Sequence, residues 1–203
     1  KSNFFSIKPE DFHGLTPKLL VKIASKVKAG EPIFYDKLNE AIQFVSPISG
    51  EVTEITRGDK RRILEVKIKA DKIQTYFDHK KIEIKSAKRD VIKAKLLASG
   101  CWPFITQRPY DVIANPENTP KGIFISAYAS APLAADYNFV LTGKQAELQA
   151  AVTALSKLTT GKVNVSVPKD SHSPFTNLED VVTHKVSGPH PSGNVGTLIN
   201  KID

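Results

Sequence analysis

The chain has 203 residues, 40% of them hydrophobic and 25% charged, with a formal net charge of +8. This composition suits a folded globular protein of one large or two small domains and excludes a disordered chain. No apolar run approaches the ~18 residues a spanning helix needs, no signal peptide is visible, and the single cysteine, Cys101, excludes an internal disulfide framework or an iron–sulfur cluster held by several local thiolates.

Charge is uneven along the chain. Residues 1–100 hold 21 Lys and Arg against 13 Asp and Glu, whereas residues 101–203 hold 8 of each. An excess confined to one half suggests an acidic partner or an anionic surface, with a solvated lysine face as the plainer reading. Lysine dominates over the arginine and aromatics that nucleic-acid recognition favours, so no nucleic-acid partner is expected. Lys1 opens a sequence that contains no methionine, and it reads as an internal fragment.

In chain order, residues 1–20 read as the remnant of a truncated N-terminal region. Residues 21–70 carry short apolar runs at 21–23, 32–35, 42–45, 50–55 and 63–68, the last two alternating with period two, as half-buried strands do. Turn residues separate the runs at Ala29-Gly30, 36–39, Ser46-Pro47 and 57–59. This is a small all-β module, joined by a lysine-rich connector at 71–86 to a region with a different rhythm. There, 87–98 has helical spacing with Gly100 as its stop, and 122–126 reads as a buried strand. Residues 145–158 form an amphipathic helix stopped by Gly161, and 163–167 and 181–186 are further strands. Strand, helix and strand in this order predict a parallel α/β sheet over 87–203, truncated at its C-terminal end, with 169–177 as the long loop.

Val27-Lys28-Ala29-Gly30-Glu31-Pro32-Ile33 followed by Ser46-Pro47-Ile48-Ser49-Gly50-Glu51-Val52 resembles a biotinyl- or lipoyl-type barrel-sandwich domain. Asp36-Lys37 falls near the place where carriers present a modified lysine. However, residues 38–43 are expected to intervene before the next strand, where a carrier has a tight hairpin, so Lys37 reads as an ordinary turn lysine. Ser187 to Gly196 follows a predicted strand where α/β proteins bind anions. This makes Gly188, His190 and Gly193 weak anion-loop candidates against a rigid, proline-fixed turn. His172 and His184 lack a Cys or carboxylate at ligand spacing, so no metal site is expected. Cys101 is expected to be a buried structural thiol.

Several stretches in order are similar to the A subunits of bacterial Na⁺-translocating NADH:quinone oxidoreductases. They include Gly14-Leu15-Thr16-Pro17, Phe34-Tyr35-Asp36-Lys37, Arg57-Gly58-Asp59-Lys60-Arg61, Ser99-Gly100-Cys101-Trp102, Arg108-Pro109-Tyr110, Pro132-Leu133-Ala134-Ala135-Asp136 and the run from Ser187 to Gly193. The resemblance covers about Gly14 to Gly196. It implies an α+β multidomain chain, a barrel-sandwich β module followed by a Rossmann-like α/β domain related to the flavin subunit of complex I. It also implies a peripheral subunit on the cytoplasmic face of the inner membrane, docked on membrane-embedded partners and supporting electron transfer from NADH to ubiquinone coupled to Na⁺ export. NAD, FAD, FMN, iron centres and ubiquinone would be held on or with other subunits.

The complex I flavin subunit has a glycine-rich phosphate loop at the position of Ser99–Tyr110. Here Trp102, Pro103 and Phe104 are bulky, and two prolines remove donors. The expectation is a retained fold, a lost flavin site and an isolated chain without activity. Trp102, Phe104, Arg108 and Tyr110 are the quinone-binding candidates, since a quinone head needs a flat apolar slot and a donor for its carbonyl. The plainer reading puts Trp102 and Phe104 in a core and Arg108 on the surface.

Overall fold

A computed structural model describes residues 2–169 and 173–202. The chain divides into two compact units. One comprises residues 1–81 and 93–116, and the other comprises 82–92 and 117–203.

The first unit is built from two small antiparallel sheets. Strand β1 (Phe4–Ile7) is followed by a single turn over Pro9–Asp11, then β2 (Pro17–Leu19), β3 (Lys26–Val27), β4 (Pro32–Asp36), β5 (Asn39–Val45), β6 (Gly50–Arg57) and β7 (Ile63–Ala70). One sheet runs β1-β7-β6-β3 and the other β2-β4-β5. Period-two alternation sends Val52, Val66 and Ile68 of one sheet and Ile42 and Phe44 of the other into the interior, whereas β4, with a register shift between Pro32 and Phe34, buries the adjacent Ile33 and Phe34 together. Phe34 and Phe44 stack there with ring centroids 4.7 Å apart.

The first twenty residues supply two strands. β1 lies antiparallel along β7, with Phe5 opposite Ile68, and β2 lies along β4, with Leu19 opposite Phe34. Pro17 opens β2 at a sheet edge, where its missing N–H leaves no gap in a ladder. The strand expected at 21–23 is absent. Those residues form a turn closed by the Lys22 N–H on Ser25 Oγ, with Ala24 at φ +68° and Ile23 exposed.

The β4–β5 turn also differs from expectation. β5 begins at Asn39, so Lys37 and Leu38 alone make the turn, and Asp36 Oδ1 accepts from the Leu38 N–H at 3.1 Å. The extra residues sit in β5 as a bulge between the Tyr35–Gln43 and Asp36–Asn39 pairs.

The lysine-rich connector begins as a strap on the same unit. Ala29 bonds both Thr75 and Phe77 through its backbone, and the Gln74 side chain accepts from the Ser49 N–H. Lys95 Nζ donates to the carbonyls of His79 and Lys80. Helix α1 (Arg89–Ala98) ends as its sequence predicts. Gly100 takes φ +70°, its N–H meets Leu97 O, and the Cys101 N–H reaches back to Leu96 O, which is a Schellman cap. A Cβ on Gly100 would lie 2.7 Å from Val45 Cγ2, so the bare glycine also lets the chain close against β5. A turn over Trp102–Phe104 and a short hairpin of β8 (Thr106–Gln107) and β9 (Val112–Ile113) complete the unit. By packing, residues 93–116 therefore belong with the β strands.

The second unit holds the parallel sheet that the strand–helix–strand order predicts: β10 (Ile123–Ser126), β11 (Val163–Pro168) and β12 (Val181–Val186), in the order β10-β11-β12. Short helix α2 (Tyr137–Val140) is capped by Asp136, whose carboxylate accepts from Asn138 N–H. Helix α3 (Gln145–Ser156) and helix α4 (Val195–Ile202) follow. Val163, Val165 and Val167 of β11 are buried with Val152 of α3, Phe175 and Leu178, and Leu148 and Leu155 pack against them. Gly161 turns the chain into β11 so tightly that a Cβ would meet Lys121 O at 1.9 Å. The loop expected at 169–177 is described only in part, because 170–172 lie outside the described residues, His172 among them.

Candidate functional site

The turn after α1 separates the four quinone candidates. Trp102 is buried, 3% exposed, and its indole N–H donates to Ala114 O at 2.7 Å. The ring thus closes the base of the β8–β9 hairpin. Phe104 is 76% exposed and lies edge-on to Phe12, at 5.8 Å between centroids, while Phe12 in turn meets Phe44 at 4.8 Å. Arg108 and Tyr110 stand on the four-residue loop between β8 and β9. Arg108 Nη2 lies 3.5 Å from Asp111 Oδ1 across that loop, and Tyr110 is exposed. One aromatic is therefore in the core and two are on the surface.

The same loop answers the phosphate question. Backbone N–H groups cradle phosphate only when they are free and converge. Here those of Gly100, Cys101, Phe104 and Ile105 all reach carbonyls of the helix end or of the turn itself. Pro103 and Pro109 have no N–H to offer. The residues do not fit a flavin phosphate. Cys101, expected to be buried, is exposed. Its N–H closes the Schellman cap, which leaves its side chain outside the helix end.

At the C-terminal edge of the parallel sheet, the loop before α4 is tied to the loop after β10. Gly193 N–H donates to Ser130 Oγ at 2.8 Å, and Ser130 Oγ lies 3.3 Å from His190 Nδ1. Tyr128 O–H donates to Gly188 O at 3.0 Å, and Ser192 Oγ donates to the same carbonyl at 2.8 Å. Ser126 Oγ lies 3.3 Å from Gly193 O. A Cβ on Gly193 would approach Ser130 N to 2.5 Å, so the glycine is there for close approach of two backbones. Ser192 and Asn194 donate to Pro189 and Pro191 carbonyls. Three backbone donors of the loop before α4, those of Ser192, Gly193 and Asn194, are thus taken by the chain's own oxygens.

Gly188, His190 and Gly193 do come together, as parts of this clamp. Ser126, Tyr128 and Ser130 were not singled out in the sequence, because short polar residues after a strand carry no motif.

His184 Nε2 meets Asn164 Oδ1 at 2.9 Å across the β11–β12 register. Among the described residues no three His, Cys, Asp or Glu gather as a metal site, and no helix is long and apolar enough to cross a membrane. Lys37 is exposed at the tip of its turn, with its own N–H donated to Thr16 O at 2.8 Å.

Two family models match, the NqrA N-terminal barrel-sandwich hybrid domain over residues 1–71 and the NqrA second alpha/beta domain over 87–203. Among curated proteins, the chain is similar to A subunits of the Na(+)-translocating NADH-quinone reductase. With that of Marinomonas sp. (strain MWYL1) it is 35% identical over 195 residues, covering 95% of this chain and 43% of the relative. With that of Saccharophagus degradans it is 35% identical over 196 residues, covering 95% and 44%. With that of Tolumonas auensis it is 37% identical over 199 residues, covering 94% and 43%. The chain spans somewhat less than half the length of these relatives. A barrel-sandwich β unit, an α/β unit with a parallel sheet, and family matches along nearly all its residues place this chain in the NqrA family, whose named relatives are A subunits of the Na⁺-translocating NADH-quinone reductase.

Proposed function

We propose that the chain serves as a peripheral, cofactor-free part of the NqrA component of a Na⁺-pumping NADH:ubiquinone reductase. In this reading it supports electron transfer from NADH to quinone from the cytoplasmic face of the bacterial inner membrane. NAD, FAD, FMN and the iron centres are held by partner subunits, and ubiquinone is reduced there. The observation that supports the reading is that several backbone donors are engaged within the chain at both loops where an α/β fold of this kind would hold a nucleotide. After α1 the N–H groups of Gly100, Cys101, Phe104 and Ile105 reach the chain's own carbonyls, and Ser130 Oγ takes the Gly193 N–H.

A second reading gives the chain its own quinone site at Trp102, Phe104, Arg108 and Tyr110. It is favoured by two aromatics that stand 76% exposed within seven residues of each other, with Arg108 between them. Titrating Trp102 emission with a short-chain, water-soluble ubiquinone separates the two. The first reading expects linear, collisional quenching, unchanged by Arg108→Ala. Saturable quenching that Arg108→Ala abolishes would promote the second.

A further inference from the structure

The hairpin joining β6 to β7 ends in Arg57-Gly58-Asp59-Lys60-Arg61-Arg62, which holds three of the chain's five arginines and a lysine against one carboxylate. The unit to which it belongs holds 19 Lys and Arg against 12 Asp and Glu, a net of +7, so nearly all the chain's charge excess lies there.

On the open face of the same sheet two cations face carboxylates, while Lys69 has no carboxylate within 4.0 Å among the described residues. Lys67 Nζ lies 2.9 Å from Glu54 Oε2, and Lys26 Nζ lies 4.0 Å from Glu51. The hydrogen bond from Lys67 holds the Glu54 carboxyl below its ordinary range and raises the lysine in return. At the tip, one cation of the four is paired. Arg62 pairs with Glu10 at 3.2 Å, but among the described residues Arg57, Lys60 and Arg61 have no carboxylate within 4.0 Å.

The tip is nevertheless built. Arg57 Nη1 donates to Arg61 O at 3.1 Å, Gly58 N–H to Arg62 O at 2.8 Å, and Arg62 N–H to Asp59 O at 3.1 Å. Lys60 and Arg61 both sit in the left-handed region, at φ +52° and +62°. Two successive non-glycine residues there are costly, and such outliers collect where a chain has a task beyond folding. No large apolar side chain is exposed within the tip, and the flanking Ile63 is buried. An arginine fork held by its own loop matches a planar carboxylate better than a lysine does.

We propose that the Arg57–Arg62 tip docks a carboxylate-rich stretch of a partner polypeptide. The proposal rests on reading the chain as one component of a larger assembly. The missing apolar anchor sets this reading above a lipid surface, where a hairpin would normally insert a side chain.

The test uses the full chain and fluorescein-labelled octaglutamate, followed by anisotropy at low salt. Arg57→Gln with Arg61→Gln should weaken binding about tenfold. Arg61→Gln alone, which leaves the Arg57 side chain to hold the loop, should weaken it about threefold. Arg57→Lys with Arg61→Lys should also weaken it, because the charge is kept and the fork is lost. Lys22→Gln with Lys28→Gln, the same charge change on other exposed positions of the unit, should cost less than about twofold. Equal weakening by the tip and control pairs would overturn the proposal, as would the absence of peptide binding by the parent chain. Tighter binding to vesicles with about 30% phosphatidylserine than to octaglutamate would also overturn it and give the tip to lipid. Rejection at this tip leaves the cofactor-free reading intact, since that reading rests on other loops.

Discussion

Replacing Gly50 with alanine destabilises the β unit by about 3 kcal/mol or more. Gly50 opens β6 opposite Ala70, in an extended conformation that alanine adopts freely, so the penalty is one of space. A Cβ built there lies 2.0 Å from Lys69 O and 3.1 Å from Ile68 Cγ2. The carbonyl belongs to the neighbouring strand and cannot turn aside as a flexible side chain would, so β6 and β7 must separate locally. Gly196→Ala is the control. It lies in α4 with nothing within 4 Å of the new Cβ, and it should be neutral or stabilising by up to about 1 kcal/mol. Thermal unfolding followed by Trp102 emission, the only tryptophan and a residue of the β unit, reads the first variant directly. An unchanged midpoint in Gly50→Ala would show that the two strands tolerate a methyl group there and that their register is not as described.

Trp102→Ala costs about 3–5 kcal/mol. The indole is almost wholly buried and donates to Ala114 O at 2.7 Å, so truncation leaves a void and an unsatisfied carbonyl together. Trp102→Phe fills most of the volume without the donor, and should cost about 1–2 kcal/mol. The pair separates packing from ligand stacking. A ring that holds the β8–β9 hairpin in place gives this graded loss in circular dichroism melts with no quinone present. A ring kept for a ligand would leave both melts within about 0.5 kcal/mol of the parent, the range of substitutions that touch no core.

Much of the fold is legible from local pattern. Period-two alternation at 50–55 and 63–68 became β6 and β7, and the Gly100 stop became the Schellman glycine. The apolar face of 145–158 became the cover of β11. What escaped was decided by partners distant in sequence. Phe4–Ile7 has no alternation of its own and is a strand because β7 offers it an edge. The bulge in β5 is invisible in composition, so the turn at Lys37-Leu38 looked longer than it is. Phe104 was expected in a core with Trp102, yet a single turn of chain carries one ring inward and the other outward. The clamp of Ser130 on Gly193 joins residues 63 positions apart through common side chains, and no spacing rule points to it.

The central claim is that this chain has no redox site of its own, and turnover tests it most directly. Purified chain, mixed with NADH and a short-chain ubiquinone, should oxidise no NADH above the rate of the buffer. Nothing in the reading gives it a group that takes a hydride. NADH-dependent quinone reduction that scales with the concentration of the chain and survives further purification would contradict the account.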